Sequence, residues 1–181
     1  MQRLSKLLHI HHEKEPPSLK IITVGSYGVG KSTFANLLLG HKLTDKCGHQ
    51  SMKLPVGDHT VNLVVFDSAG QERVGEFPLT YYDKTDLVVA IVSPDSIDSV
   101  VDARLYLNRA MEVSASDHRR RPSVMVVVNT RGHRSAVDID ADTRALCLQF
   151  DCHAACVDLG HAAAADIRAM VADVLCRYMY D

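Results

Sequence analysis

The stretch Gly25-Ser26-Tyr27-Gly28-Val29-Gly30-Lys31-Ser32 fits the pattern G-x-x-x-x-G-K-[ST]. It lies between an apolar run, residues 19–24, and a helix-like run that begins at Lys31. The order strand, glycine-rich loop, helix is what a nucleoside-triphosphate site requires. The strand gives a rigid edge, the glycines let consecutive backbone N–H groups curl around phosphate oxygens, and the helix turns its positive end toward the anion. Lys31 is placed to reach the β and γ phosphates, and Ser32 to offer its hydroxyl to a magnesium ion shared with them.

Working outward, the helix after the loop carries Phe34, Leu37, Leu38 and Leu39 and is expected to close at Gly40. Residues 51–56 and 61–66, joined through Gly57-Asp58-His59, read as a hairpin. Residues 87–92 and 124–128 are short, valine-rich runs suited to strands covered on both faces. Between them, Val100, Ala103, Leu107 and Met111 keep a helical spacing, with Asp95 or Ser96 as cap. Residues 138–150 and 162–178 supply two more helices around a short last strand within 152–157. The alternation β-α-β-β-α-β-α-β-α-β-α implies a three-layer α/β fold: a mostly parallel six-stranded sheet, one strand antiparallel, helices on both faces. Ligands in such sheets bind at the carboxyl ends of the strands.

The chain has 181 residues, enough for one domain, here 19–181, preceded by an extension, 1–18. A formal charge of -2 gives no reason to expect nucleic acid as a partner. No apolar run approaches bilayer length and no secretory core stands at the start, so a cytoplasmic protein, peripheral on membranes at most, is expected. The five cysteines do not form a disulfide framework; Cys152, His153, Cys156 and His161 lack zinc-knuckle spacing and read better as buried thiols than as a metal site.

After the third apolar run comes Asp67-Ser68-Ala69-Gly70-Gln71-Glu72-Arg73, and here the chain resembles the Ras superfamily of small GTPases, whose segment reads D-T-A-G-Q-E. The resemblance covers roughly residues 19 to 178. It implies a P-loop small-GTPase fold that binds GTP or GDP with Mg2+. It further implies nucleotide contacts from Gly25, Tyr27, Gly28, Val29, Gly30, Lys31, Ser32 and Thr33, and from Gly70 to the γ phosphate. Asp67 would hold the metal through water, and Gln71 would be the catalytic residue that orients the attacking water. Gln71-Glu72-Arg73 followed by Tyr81-Tyr82 keeps Rab spacing, while Pro78-Leu79-Thr80-Tyr81, Thr85-Asp86 and Val92-Ser93-Pro94-Asp95-Ser96 look Rho-like. The branch leans to Rab.

Four departures from the family pattern stand out. Family members read guanine through N-K-x-D or T-K-x-D, whose aspartate accepts two hydrogen bonds from the base; here Asn129-Thr130-Arg131-Gly132-His133 puts Gly132 or His133 at that place. Losing such a charge-assisted pair costs about 2–3 kcal/mol. Asn129 and Arg131 remain base-side candidates, Arg131 by stacking. The last base loop, S-A-[KL] in the family, aligns with Val157-Asp158-Leu159, where Asp158 either accepts from guanine or caps the last helix. Tyr27 stands at the second glycine of the family loop, where bulk crowds the γ phosphate and slows hydrolysis unless the ring swings outward. The interval from Lys31 to Asp67 is short, leaving Thr44 or Ser51 as the switch I metal ligand, outside the usual P-T sequence.

At the N-terminus Leu4, Leu7 and Leu8 beside Arg3 and Lys6 suggest a short amphipathic helix like that of Arf-type GTPases, with Gln2 where myristoylation needs glycine. Any membrane contact is expected there or through a partner. The end Cys176-Arg177-Tyr178-Met179-Tyr180-Asp181 is no prenylation signal. Arg119-Arg120-Arg121 reads as a solvated loop, or as a patch for an acidic partner or lipid. Two readings follow: an atypical switch with slow or impaired hydrolysis, acting through protein effectors with exchange factors and activating proteins as regulators, or a pseudo-GTPase scaffold with weak, unselective or no nucleotide binding. A P-loop ATPase is a minor third.

Overall fold

The structure is a computed structural model that describes residues 15–40, 49–67, 77–116, 120–132 and 140–180. Its elements run β1 (Ser18–Val24), α1 (Lys31–Leu39), β2 (His49–Val56), β3 (His59–Asp67), α2 (Leu79–Tyr82), β4 (Leu87–Val92), α3 (Ile97–Ser116), β5 (Ser123–Asn129), α4 (Ala141–Phe150), β6 (Ala154–Val157) and α5 (Ala164–Tyr180). This is the alternation expected from the sequence. The six strands form one sheet in the order β2-β3-β1-β4-β5-β6. Only β2 pairs antiparallel, with β3; the other pairings are parallel.

Alternation along the central strands divides the core in two. On β4, Leu87, Val89 and Ile91 face one layer with Ile21 and Met125, packed by Phe34 and Leu38 of α1 and by Ile167, Val171 and Leu175 of α5. Val88, Ala90 and Val92 face the other with Ile22 and Val126, packed by Tyr81 and Tyr82 of α2, Leu107 of α3, and Leu146 and Phe150 of α4. Every residue of β4 is buried, as its continuous apolar run requires of a strand covered on both faces. Each fully buried leucine, isoleucine or phenylalanine stabilises the fold by roughly 1.5–3 kcal/mol.

Helix ends follow local chemistry. Asp140 caps α4, its Oδ1 accepting from the Thr143 N–H at 2.6 Å, and the Ser96 hydroxyl oxygen accepts from the Ser99 N–H at 3.3 Å ahead of α3. Helix α1 stops at Gly40, whose N–H donates to the Asn36 carbonyl. Arg168 of α5 then covers the last carbonyls of α1, donating to Leu38 O at 2.8 Å and Leu39 O at 3.0 Å. Tyr81 ties α2 to the end of β1, its hydroxyl donating to Thr23 O at 3.0 Å. The first phosphate-side element and its neighbours are thereby fixed to the sheet.

Arg120 and Arg121 are not simply solvated. The Arg120 guanidinium lies over the Tyr178 ring at 4.2 Å, and Arg121 Nε donates to Met111 Sδ at 3.2 Å. Arg119 and the N-terminal helix proposed around Leu4, Leu7 and Leu8 lie outside the described residues. Among the described residues no helix is long and apolar enough to cross a membrane.

Candidate functional site

The loop 25–30 leaves the carboxyl end of β1 and delivers the chain into α1 at Lys31. Two of its glycines are dictated by geometry. Gly25 has φ 140°, and a Cβ there would collide with the Ile91 carbonyl oxygen of β4. Gly30 has φ 112°, and a Cβ would sit 2.8 Å from Asn129 Nδ2 and 3.1 Å from Leu159 Cδ1. Only glycine combines that backbone with that approach. The loop is thus pressed between the central strand and the two loops at the far side of the sheet.

Lys31 is buried to 4% exposure, its Nζ donating to Gly25 O at 3.0 Å and Ser26 O at 2.7 Å. The carbonyls of the loop hold the ammonium over its concave mouth, where a phosphate would take those donors. Ser32 follows at the start of α1 and is half-buried; Thr33 is exposed. Asp67 ends β3 directly beside Thr23 of β1, whose hydroxyl donates to Asp67 Oδ1 at 3.2 Å. A hydroxyl and a carboxylate at one sheet edge suit Mg2+, which takes few protein oxygens and completes its shell with water and phosphate.

Ser51 does not join them. It lies in edge strand β2 opposite Val64, three residues back from Asp67 along β3, about 10 Å at the usual strand rise. Thr44, Gly70 and Gln71 lie outside the described residues. Tyr27 projects from the loop at 63% exposure, the outward orientation. Its neighbour Ser26 donates its hydroxyl to Asp102 Oδ2 of α3 at 2.6 Å, anchoring the crest of the loop.

Asn129, at the end of β5, joins three segments. Its Nδ2 donates to Val29 O at 2.9 Å, while its Oδ1 accepts from Leu159 N at 3.3 Å and Arg131 N at 3.4 Å. One buried amide thus couples the phosphate loop to both loops on the base side. The Arg131 guanidinium folds back onto Gly28 O at 2.7 Å, so it lies against the phosphate loop. Sequence reasoning named Asn129 and Arg131 as base-side residues but gave no sign of their bonds to the loop 100 and 103 positions away, respectively.

Gly132 and Asp158 are neighbours across the two base-side loops. A Cβ on Gly132 would stand 3.6 Å from Asp158 Oδ2. The Asp158 carboxylate also accepts from the Gly160 N–H at 3.0 Å and meets His161 Nδ1 at 2.8 Å. The His161 hydrogen bond first, with the backbone N–H groups of Gly160 and Gly132, holds the Asp158 carboxyl below its ordinary range. It is therefore ionised at neutral pH, an acceptor beside Gly132, one of the two candidates for the family's aspartate position; His133, the other, lies outside the described residues.

A six-stranded sheet with this loop at β1, an acidic residue closing β3 and an asparagine closing β5 defines a P-loop nucleotide-binding domain of the small-GTPase type. The family model described as "Ras family" matches residues 20–142. The chain belongs to the Ras family. Among similar proteins are Ras-related protein RabP of Dictyostelium discoideum, 38% identical over 82 residues, 45% of this chain and 35% of that protein. Ras-related protein RABG3e of Arabidopsis thaliana is 25% identical over 138 residues, 71% of this chain and 67% of its own length. Ras-related protein Rab7 of Pisum sativum is 24% identical over 138 residues, 71% and 67% of the two chains. The match with RabP thus spans little more than a third of that protein. All three are Rab proteins, in agreement with the Rab-like spacing after Asp67.

Proposed function

We propose that this chain is an atypical Rab-like switch that binds GTP and GDP with Mg2+, hydrolyses GTP slowly, and acts through effector proteins in vesicle trafficking or signalling. The observation that carries this reading is Lys31, buried and aimed across the loop mouth on two loop carbonyls, with Ser32 and Asp67 at the same sheet edge. Lys31 would exchange those carbonyls for β and γ phosphate oxygens, and the loop N–H groups would cradle the rest. Magnesium, when bound, would neutralise charge on the β and γ oxygens; Ser32 would hold it directly and Asp67 through water. Gly70 would donate to the γ phosphate and Gln71 would orient water, while Tyr27, its ring turned outward, leaves the γ-phosphate position open.

On the base side Asn129 keeps the loops in register, Arg131 braces Gly28, and Asp158 supplies the acceptor that Gly132 lacks. The scaffold reading retains one specific support, the lack of an aspartate at Gly132 and His133, the two candidates for the family's base-reading position. The test is to denature the purified chain and identify any released nucleotide by chromatography. Guanine nucleotide in near-stoichiometric amount supports the switch; a chain that carries none and takes up none on incubation with GTP and Mg2+ is a scaffold.

A further inference from the structure

A second chemical feature lies at the end of the sheet opposite the phosphate loop, in a cleft of about 390 Å³ between the start of β5, the end of α4 and the last turns of α5. Ser123, the first residue of β5, lines it, six residues and about 20 Å of strand rise from Asn129. Arg120 and Arg121 reach it from the approach to β5, Arg177 and Tyr178 from α5, and Asp151 from the closing residue of α4. Its volume falls in the range of small-molecule sites, roughly 300–1,000 Å³.

Three arginines gather here without carboxylates to match them. Arg177 pairs with Asp173 at 2.7 Å, but both side chains are exposed, and a pair of that kind exchanges readily. Arg120 and Arg121 make no ion pair among the described residues; each is held by an uncharged partner instead. The Arg120 guanidinium lies over the Tyr178 ring, 4.2 Å from its centroid. That ring is itself fixed, because its hydroxyl donates to Asp86 Oδ1 at 3.1 Å and Asp86 Oδ2 accepts from the Lys20 N–H of β1 at 2.7 Å. Arg121 directs its Nε to Met111 Sδ at 3.2 Å. Ring and sulfur thus place the two guanidinium groups while leaving N–H edges without a carboxylate. Arginine in that state grips an oxyanion through two bonds with little ordering left to do.

Asp151 narrows the ligand further. It is exposed and makes no side-chain hydrogen bond or ion pair among the described residues, and its carboxylate would repel a ligand that is anionic over its whole surface. A phosphorylated polyol meets both demands: its phosphate oxygens accept from guanidinium N–H groups, and a neighbouring ring hydroxyl donates to the carboxylate. We propose that this cleft binds an inositol ring carrying two or more phosphomonoesters, free or as the headgroup of a membrane lipid, and that it does so independently of the nucleotide. Arg120 and Arg121 hold the phosphates, Arg177 exchanges Asp173 for a phosphate oxygen, and Asp151 accepts from a free ring hydroxyl.

The test titrates the full chain with inositol trisphosphate by calorimetry, with and without excess GDP and Mg2+. In parallel the chain is floated with phosphatidylcholine vesicles containing either phosphatidylinositol bisphosphate or enough phosphatidylserine to match its charge. Saturable binding that GDP does not displace is expected. Arg120→Gln and Arg121→Gln should each weaken it about tenfold and leave GTP affinity unchanged, and Asp151→Asn should narrow the preference for inositol trisphosphate over pyrophosphate. Amide shifts of the unsubstituted chain, read by NMR, should centre on Ser123 and Tyr178 whether or not a variant folds. Retention on the bisphosphate vesicles alone assigns the lipid headgroup; trisphosphate binding without retention assigns the free ligand. The proposal is overturned if millimolar trisphosphate neither binds nor shifts those amides, if GDP displaces it, if both arginine variants bind as before, or if vesicle retention follows charge whatever the headgroup.

Discussion

The two ends of the nucleotide cleft are built by different rules. At the proposed phosphate end the contacts would be backbone N–H groups and one lysine, set by glycine spacing within eight consecutive residues. At the proposed base end they would come from side chains on two loops, Asn129 to Gly132 and Val157 to Leu159, which meet only after β6 has paired with β5. The first can be kept whole while the second is rebuilt, because Asn129 is the buried link between them and is present. A chain can retain the means to grip triphosphate while changing how it identifies the base.

The largest expected effect breaks the phosphate end. Lys31→Ala removes the cation aimed at two phosphates and should weaken GTP binding about 10²- to 10⁴-fold, measured by calorimetric titration, with the thermal midpoint of the nucleotide-free chain little changed. Unchanged GTP affinity would mean that the loop is not the triphosphate site. Asn129→Ala attacks the link. It leaves the Val29 carbonyl and the Leu159 N–H without their partner and should cost about 2 kcal/mol of stability, while loosening GTP and GDP alike. Denaturant unfolding and nucleotide titration read both, and a loss of one without the other would separate the loops that the amide is held to join.

The base end is sharpened by a pair of changes. Gly132→Asp alone meets a left-handed backbone, φ 82°, and places a second carboxylate beside Asp158, so it should destabilise by about 1–2 kcal/mol and fail to raise guanine preference. Asp158→Asn alone should reduce the preference for GTP over ATP about tenfold, and the double substitution should recover much of it. Competition binding of the four proteins makes a double-mutant cycle; additive effects would place the two positions in separate environments. The smallest effect on binding is expected for Tyr27→Gly. With its ring in solvent the change should leave both GTP affinity and single-turnover hydrolysis within a few-fold, and a large rise in rate would make Tyr27 a brake despite its outward orientation.

Much of this fold is legible in the sequence because it follows from local pattern. Residues 87–92, a valine-rich run without polar interruption, are β4 to the residue. The edges are less legible. Strand β2 begins at His49, two residues before the expected start, because its pairing with Phe66 and Val65 of β3 outweighs the polar character of His49 and Gln50. Strand β6 starts at Ala154, not Cys152, since the chain is still closing α4 at Asp151 and Cys152. The expectation of buried thiols holds only in part: Cys156 lies exposed on edge strand β6, whereas Cys152 is half-buried against the core.

The strand–loop–helix that carries the proposed phosphate site was legible for the same reason as β4. Its spacing alone fixes where Lys31 and Ser32 stand, and Asp67 follows from the strand that carries it. The place of Ser51, opposite Val64 and three residues back from Asp67, follows from the strand register, which spacing alone does not announce. The bracing of Gly28 by Arg131, and the approach of Asp158 to Gly132, depend on two loops converging across β5 and β6. Such contacts have no signature in either segment.

The claim that a working phosphate end is joined to a rebuilt base end is tested most directly by titrating the emptied chain with GTP and ATP, with and without Mg2+. The account predicts tight, magnesium-dependent binding of GTP and weaker binding of ATP. Equal affinity for GTP and ATP would contradict the base-side assignment of Asp158, and binding of neither would contradict the account as a whole.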